Sequence, residues 1–420
     1  MSLIRSGTIL FLASMAGNVS NYLFQFFMSR HLSIEDYGTM NAAFSMLIMV
    51  GIPTATIMMV LAKYISKFNA QGEENKISSL YRNSVLKMSG LGLLVFAAFL
   101  FFRNNISEYL KLSDSWPVII IGFGLFWAFI ITVNFGMLQG LKRFYLFGTG
   151  MGLIGILKLL SGVVLVLLGF GLNGAISTVV VSTFLVFAIT SAPLRSYLKE
   201  KGRVEKNTGD ILIYSIPVLL STIAFAALTN IDLLIVKHMF SAEEAGLYAA
   251  VSILGKTLLY LPSALTQALF PLVSEAHTLN QDTFKLLDKG LLYTFAIALA
   301  GVAGFTVFPE TAIMLLFGQK YLSAAPLLKY YGLAMTFLSI VSIFISFNLA
   351  RHRTGFVYSL IAACAALVIL IHYFHGSLMN VILIIAAVSA SLALVNFFLI
   401  YRDRKSFYLL RPKVEGLAQR

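Results

Sequence analysis

The sequence predicts an all-α membrane protein of about twelve transmembrane helices, built as two six-helix lobes related by a parallel internal repeat. Three observations carry this. The 420-residue chain is 59% hydrophobic and 12% charged, and its mean hydropathy of +0.86 lies well above that of an ordinary water-soluble chain. Its apolar residues gather in runs of roughly 20, the length a helix needs to cross a bilayer core. A polar phrase, "RHLSIEDYGTMNAAF" from Arg30, returns as "HMFSAEEAGLYAAVS" from His238. A membrane barrel would show short alternating strands, and runs such as "SGVVLVLLGFGLNGAISTVVVSTFLVFAITS" do not alternate.

The first span, residues 6–29, has no small-residue cleavage site before Arg30 and belongs to the repeated unit, so it reads as a retained helix and not as a secretory signal. Further spans follow at 38–62, 83–102, 116–138, 146–169 and 172–194, the last two divided by the tight stretch Gly171 to Asn173. Gly148, Gly150, Gly152 and Gly155 in the fifth span suit close helix packing, not a phosphate cradle. These six spans form a first lobe, 1–194, and the basic segment 195–210 links it to a second lobe, 211–401. Its spans lie at 211–236, 246–273, 289–308, 324–349, 354–373 and 377–401, with a tight gap near His375 and a basic tail at 402–420. Cys364, the single cysteine, falls in an apolar span and reads as a buried thiol.

The net charge of +13 raises nucleic acid as a partner, but the distribution of charge answers otherwise. With the N-terminus placed in the cytoplasm, the whole basic excess falls on inner loops: Lys63 to Lys87, Lys142 and Arg143, "RSYLKEKGRVEK" from Arg195, Arg351 and Arg353, and the tail. That asymmetry is what the positive-inside rule demands, so basicity encodes orientation. The expected location is the cell membrane, the inner one where there are two, with both termini cytoplasmic and no nucleic-acid partner.

In the repeat, Ser33, Glu35, Gly38 and Ala42 correspond to Ser241, Glu243, Gly246 and Ala250, Asp36 to Glu244, and Pro53 to Pro262. Six spans is an even number, so both halves enter the membrane in the same sense. Acidic residues at a helix start favour the positive end of the helix dipole, and glycine permits close backbone approach. The phrase therefore builds an outer corner in each lobe.

Together with the 6+6 layout, "LPSALTQALFPLVSEA" from Leu261 and the short basic loop after the fourth span, this phrase resembles the polysaccharide-transporter branch of the multidrug/oligosaccharidyl-lipid/polysaccharide (MOP) exporter superfamily, which includes O-antigen and capsule flippases. The resemblance implies a MATE-like fold. It also implies a transporter that carries a polyprenyl-diphosphate-linked oligosaccharide from the inner to the outer leaflet by alternating access, with polysaccharide polymerase or assembly proteins as candidate partners beside the lipid bilayer.

Charges inside a bilayer cost on the order of 2.5 to 3.5 kcal/mol at a helix centre, so they need a reason. Lys158, Lys256 and Asp232 qualify, and none has a charged counterpart in the other half. Lys256 heads a helical stripe with Tyr260, Ser263 or Ala264, and Gln267; Asn18, Asn21 and Gln25 draw another on the first span. Such stripes either glue helices together or line a hydrated path; the substrate-binding candidates are Lys158, Lys256, Asn18, Asn21, Gln25, Tyr260 and Gln267. Asp232 is the candidate for coupling to H+ or Na+, and Pro217 and Pro262 are candidate hinges. Asn134, Gln139, Asn230 and Asn348 are weaker candidates. No cofactor, metal site or enzyme activity is expected: the loops between spans are short and hold no metal cluster, and the histidines fall mostly at span ends. Two alternatives stand beside the flippase. A cation-coupled multidrug exporter of the same superfamily would need membrane carboxylates, and the first six spans contain no Asp or Glu. A non-transporting scaffold for polysaccharide biosynthesis would use its polar stripes as helix glue.

Overall fold

The computed structural model describes residues 3–199, 209–279 and 281–418, and their side chains over 12–198, 218–263, 265–267, 269–270, 272–279 and 281–404. Most of the basic segment 195–210, the Pro217 side chain and those of the tail beyond Arg404 lie outside that description. The helices are α1 (Leu3–His31), α2 (Ile34–Gly51), α3 (Pro53–Ala70), α4 (Glu74–Phe101), α5 (Arg103–Tyr109), α6 (Trp116–Gly140), α7 (Phe144–Leu165), α8 (Gly171–Ser191) and α9 (Ser196–Lys199). They continue with α10 (Gly209–Met239), α11 (Ala242–Gly255), α12 (Thr257–Tyr260), α13 (Ser263–Thr278), α14 (Phe284–Val307), α15 (Pro309–Leu316), α16 (Ala325–Ala350), α17 (Phe356–Tyr373) and α18 (Leu378–Ala418).

Among the described residues, eight helical stretches are long and apolar enough to cross a bilayer, and two bent pairs raise the number to ten. One of the eight, Phe144–Leu194, is 51 residues long and contains two spans, because Gly169 and Gly171 turn the chain at φ of +89° and +49°, a region open to glycine. With the 29-residue α1, the set coincides with the twelve apolar runs of the sequence. The bent pairs are α2 with α3, at 40°, and α11–α12 with α13, at 41°. Pro53 opens α3 and Pro262 precedes α13, where the missing proline N–H ends the preceding hydrogen-bond ladder. The same break thus recurs in the second span of each half.

The chain forms two compact units, one of Met1–Leu219 with Val236–Ala249, the other of Leu220–Ile235 with Ala250–Arg420. In the first, α6 packs against α3, α4 and α8 around Ile65, Tyr81, Met137, Leu138 and Val186. Buried Asn134 ties three of these helices: its Oδ1 accepts from Tyr81 OH at 2.8 Å, and its Nδ2 donates to Thr190 Oγ1 at 3.0 Å and Ser191 Oγ at 2.8 Å. Lipid supplies no hydrophobic drive between helices, so such bonds and close packing hold them together. Close packing is most severe between α1 and α7, where a Cβ on Gly155 would lie 2.5 Å from Gly17 O and one on Gly152 would lie 2.8 Å from Ala13 O.

Both copies of the repeated phrase are helix caps. Ser33 Oγ accepts from Asp36 N at 3.0 Å. Ser241 Oγ accepts from Glu244 N at 3.2 Å while Glu244 Oε2 accepts from Ser241 N at 3.0 Å, a reciprocal capping box. Their glycines meet: a Cβ on Gly38 would lie 2.7 Å from Gly246 N, and one on Gly246 would overlap Ile34 O. Beside this contact, Lys111 Nζ donates to Phe240 O at 3.2 Å and the His238 ring stacks on Tyr109 at 4.0 Å.

In the second unit, α16 packs against α12, α13, α14 and α18, and Phe284, Leu287, Ile343, Phe344 and Phe347 form an apolar cluster. Cys364 is partly buried and its Sγ donates to Ala224 O at 3.2 Å.

A Gly155→Leu substitution is expected to destabilise the protein in detergent by about 1–3 kcal/mol, since overpacking forces backbone shifts. Gly90→Leu, on a helix face where an added Cβ meets nothing within 4 Å, should stay within about 0.5 kcal/mol of the parent. Thermal unfolding followed by circular dichroism decides; equal midpoints would remove the α1–α7 contact as a constraint.

Candidate functional site

Lys158 lies on the face of α7 that the glycines press against α1. Its ammonium sits 4.5 Å from the Phe24 ring centroid and 4.2 Å from that of Phe44, and donates to Asn21 Oδ1 at 3.5 Å, the outer limit of a hydrogen bond. Two arene faces on one cation in a partly desolvated place contribute on the order of 1–2 kcal/mol each. Among the described residues no carboxylate contacts this ammonium, so its charge is held by neutral groups and stays uncompensated. Gly162 opens the space for the cage, since a Cβ there would lie 2.7 Å from the Phe24 ring.

The remaining candidates on α1 divide. Asn21 also donates to Gly17 O at 3.1 Å. Gln25 is engaged between α1 and α2: its Nε2 donates to Asn41 Oδ1 at 3.0 Å, and its Oε1 accepts from Tyr37 OH at 2.8 Å. Asn18 is exposed.

The second unit treats its lysine differently. Lys256 is buried at the junction of α11 and α12, and Asp232, also buried, lies within its electrostatic reach. Tyr331 OH on α16 donates to Asp232 Oδ2 at 2.8 Å and in turn accepts from Ser252 Oγ at 2.9 Å. This chain joins α10, α11 and α16. Gly255 makes room for it, because a Cβ there would lie 2.4 Å from the Tyr331 ring. The helix runs on through Lys256, whose carbonyl accepts from Tyr260 N at 3.0 Å, and bends by 41° between Tyr260 and Leu265, where Pro262 stands, so the stripe read from Lys256 through Gln267 does not lie on one straight helix. Lys256 points into packed interior, whereas Tyr260 is 52% exposed and Gln267 is exposed.

The structure thus gathers Lys158 with Asn21 and Lys256 with Asp232, and adds Phe24, Phe44, Ser252 and Tyr331, which the sequence did not single out. Phe24 stands one turn from Asn21 and so was within reach of a helical reading. Tyr331 is one tyrosine among 18 and carries no local signal.

Comparison with known proteins bears on this geometry. A family model described as polysaccharide biosynthesis protein matches residues 27–326. The capsular polysaccharide biosynthesis protein CapF of Staphylococcus aureus is 20% identical over 325 residues, covering 76% of this chain and 78% of that one. An uncharacterized membrane protein of Methanocaldococcus jannaschii is 23% identical over 365 residues, covering 81% and 83%. Among solved structures, an inward-facing MATE multidrug resistance transporter of the MOP superfamily superposes with a TM-score of 0.76 at 15% identity, covering 94% of this chain and 96% of its own. The lipid II flippase MurJ, in an inward closed conformation, gives 0.72 at 16%, covering 95% and 87%. These likenesses show the fold: an all-α, MATE-like membrane protein.

Lys256 and Asp232 are both buried and attract each other electrostatically, so Asp232→Asn and Lys256→Met should each destabilise by about 1–3 kcal/mol. The double variant should cost less than the sum, with a coupling energy of about 1–3 kcal/mol from a double-mutant cycle in mixed micelles. Additive costs would show that the two charges do not act on each other.

Proposed function

Because the chain belongs to the polysaccharide biosynthesis protein family, we propose that it is a flippase moving a polyprenyl-diphosphate-linked oligosaccharide from the inner to the outer leaflet of the cell membrane, with both termini cytoplasmic. The observation that carries the proposal is Lys158, a cation within a membrane-spanning helix that neutral groups hold and no carboxylate among the described residues neutralises. Such a group has its full charge to offer a diphosphate crossing a low-dielectric region. Lys256 faces Asp232 and offers less. The two lysines therefore take different parts. Lys158, with Asn18 and Asn21, contacts the diphosphate; Gln25 holds α1 against α2 beside it; Tyr260 and Gln267 meet the sugar. Asp232 takes the coupling ion, H+ or Na+, with Lys256 as its internal counter-charge.

Transport follows alternating access, with Pro217 and Pro262 absorbing the change in helix direction and the lipid tail remaining in the bilayer. The buried Asp232 also suits the cation-coupled drug exporter, and that reading differs in its cargo. Both are read in one experiment, on cells lacking their own flippase. Lys158→Ala should lower surface polysaccharide at least about tenfold, since removing one charge-assisted contact costs about 1.5–3 kcal/mol, and Lys158→Arg should restore part of it. Unchanged export by Lys158→Ala at equal expression would sink the diphosphate assignment, and drug resistance without restored polysaccharide would establish the exporter.

A further inference from the structure

Away from both lysines, the end of the second unit where α16 stops and α17 starts holds a cavity of about 410 Å³. Arg353, Thr354, Arg402, Asp403, Asn348 and Asn396 supply its polar lining. Arg353 Nη1 donates to Asp403 Oδ2, which cancels that pair, and leaves the charge of Arg402. The 18-residue α17 begins at this cavity with no side chain capping it; Val357 N turns back to Thr354 O at 3.1 Å, and the positive end of the helix dipole lies beside the space. Asn348 is 6% exposed; one of its amide protons goes to Phe344 O at 2.9 Å, and the rest of the carboxamide has no partner among the described residues. Arg402, the helix start and the remaining Asn348 amide proton favour an anion, and Arg402 alone balances one negative charge.

Directly above, between α17 and α18, runs a second space of about 440 Å³ lined by Ala362, Ala363, Ala366, Ala387, Val388 and Val395. The two adjoin, because Asn396 of the lower one donates to Ser359 Oγ, at the near end of the upper one, at 3.2 Å. Alanines on both helices leave a channel without projecting side chains. From Ser359 to Leu370 the helix rises about 16 Å, the extent of one fatty acyl chain. A polar cavity beside an apolar groove on the same helix pair has the form of a headgroup and its tail.

We infer that this helix pair holds one anionic glycerophospholipid, its phosphodiester at Arg402, Asn348 and the start of α17 and one acyl chain along the alanine channel. A zwitterionic headgroup fits less well, because Asp403 is already engaged with Arg353 and leaves no counter-charge for an ammonium. A polyprenyl diphosphate carries more charge than Arg402 balances and a tail longer than the channel. The site is independent of the flippase proposal, since its readout is lipid retention and not export.

Native mass spectrometry of the full chain in mild detergent, titrated with phosphatidylglycerol and with phosphatidylcholine of the same acyl chains, provides the test. Phosphatidylglycerol should be retained several-fold more than phosphatidylcholine, with one molecule bound per chain. Arg402→Glu should bring retention down to the phosphatidylcholine level, and Ala366→Leu should lower retention of both lipids. Ala387→Leu, from the facing helix, repeats the channel test should the first variant fold poorly by circular dichroism. Equal retention of the two lipids by the parent, or retention unmoved by Arg402→Glu, would overturn the inference. Displacement of phosphatidylglycerol by an equimolar polyprenyl phosphate would overturn it too, by assigning the channel to a substrate tail.

Discussion

The approach of α1 to α7 is a contact between backbones, and the chemistry of the first unit depends on it. Gly155 lies against Gly17 O and Gly152 against Ala13 O, closer than any side chain would allow. In water such helices would be driven together by their apolar faces; in lipid that drive is absent, and small residues substitute for it by letting dispersion and weak backbone contacts accumulate. Because the two helices touch in this way, Asn21 and Phe24 reach the ammonium of Lys158. A cation that would otherwise seek headgroups is kept at depth by arene faces instead of by an acid.

The two units resolve the cost of an intramembrane lysine by opposite means. One surrounds it with ring faces and an amide, leaving its charge available. The other buries it near Asp232 and fixes that acid through Tyr331 and Ser252, across three helices. The first arrangement leaves a cation among neutral groups, and the second sets a cation near an acid that a tyrosine and a serine hold in place. Neither arrangement is copied in the other half, although the broken second span and the capped corner are. What the halves share is architecture, and what they do not share is charge.

The architecture was legible because composition and run length report on lipid directly, and the positions of Lys158, Lys256 and Asp232 were legible because charge in an apolar run is conspicuous. The surroundings of those charges were not. Phe24, Phe44 and Tyr331 belong to residue types that fill every span, and only tertiary placement separates a cage wall from ordinary packing. Periodicity misled beyond Tyr260: a spacing of three and four implies a common face only on an unbroken helix, and here the chain bends at Pro262. The capping role of Ser241 and Glu244 was written in the sequence as a serine followed three residues later by an acid, a pattern that a reading focused on helix dipoles passes over.

The meeting of Gly38 with Gly246 bears on the ancestry of the molecule. After a gene doubles and fuses, its halves are ordinarily at liberty to diverge. Here a methyl group on Gly38 would enter the backbone of Gly246, and one on Gly246 would enter the backbone of Ile34, so neither position accepts one without a shift of the other copy of the phrase. Where one copy of the phrase lies this close to the other, a larger side chain in either has to be accommodated by its neighbour, which ties the two stretches together at this corner.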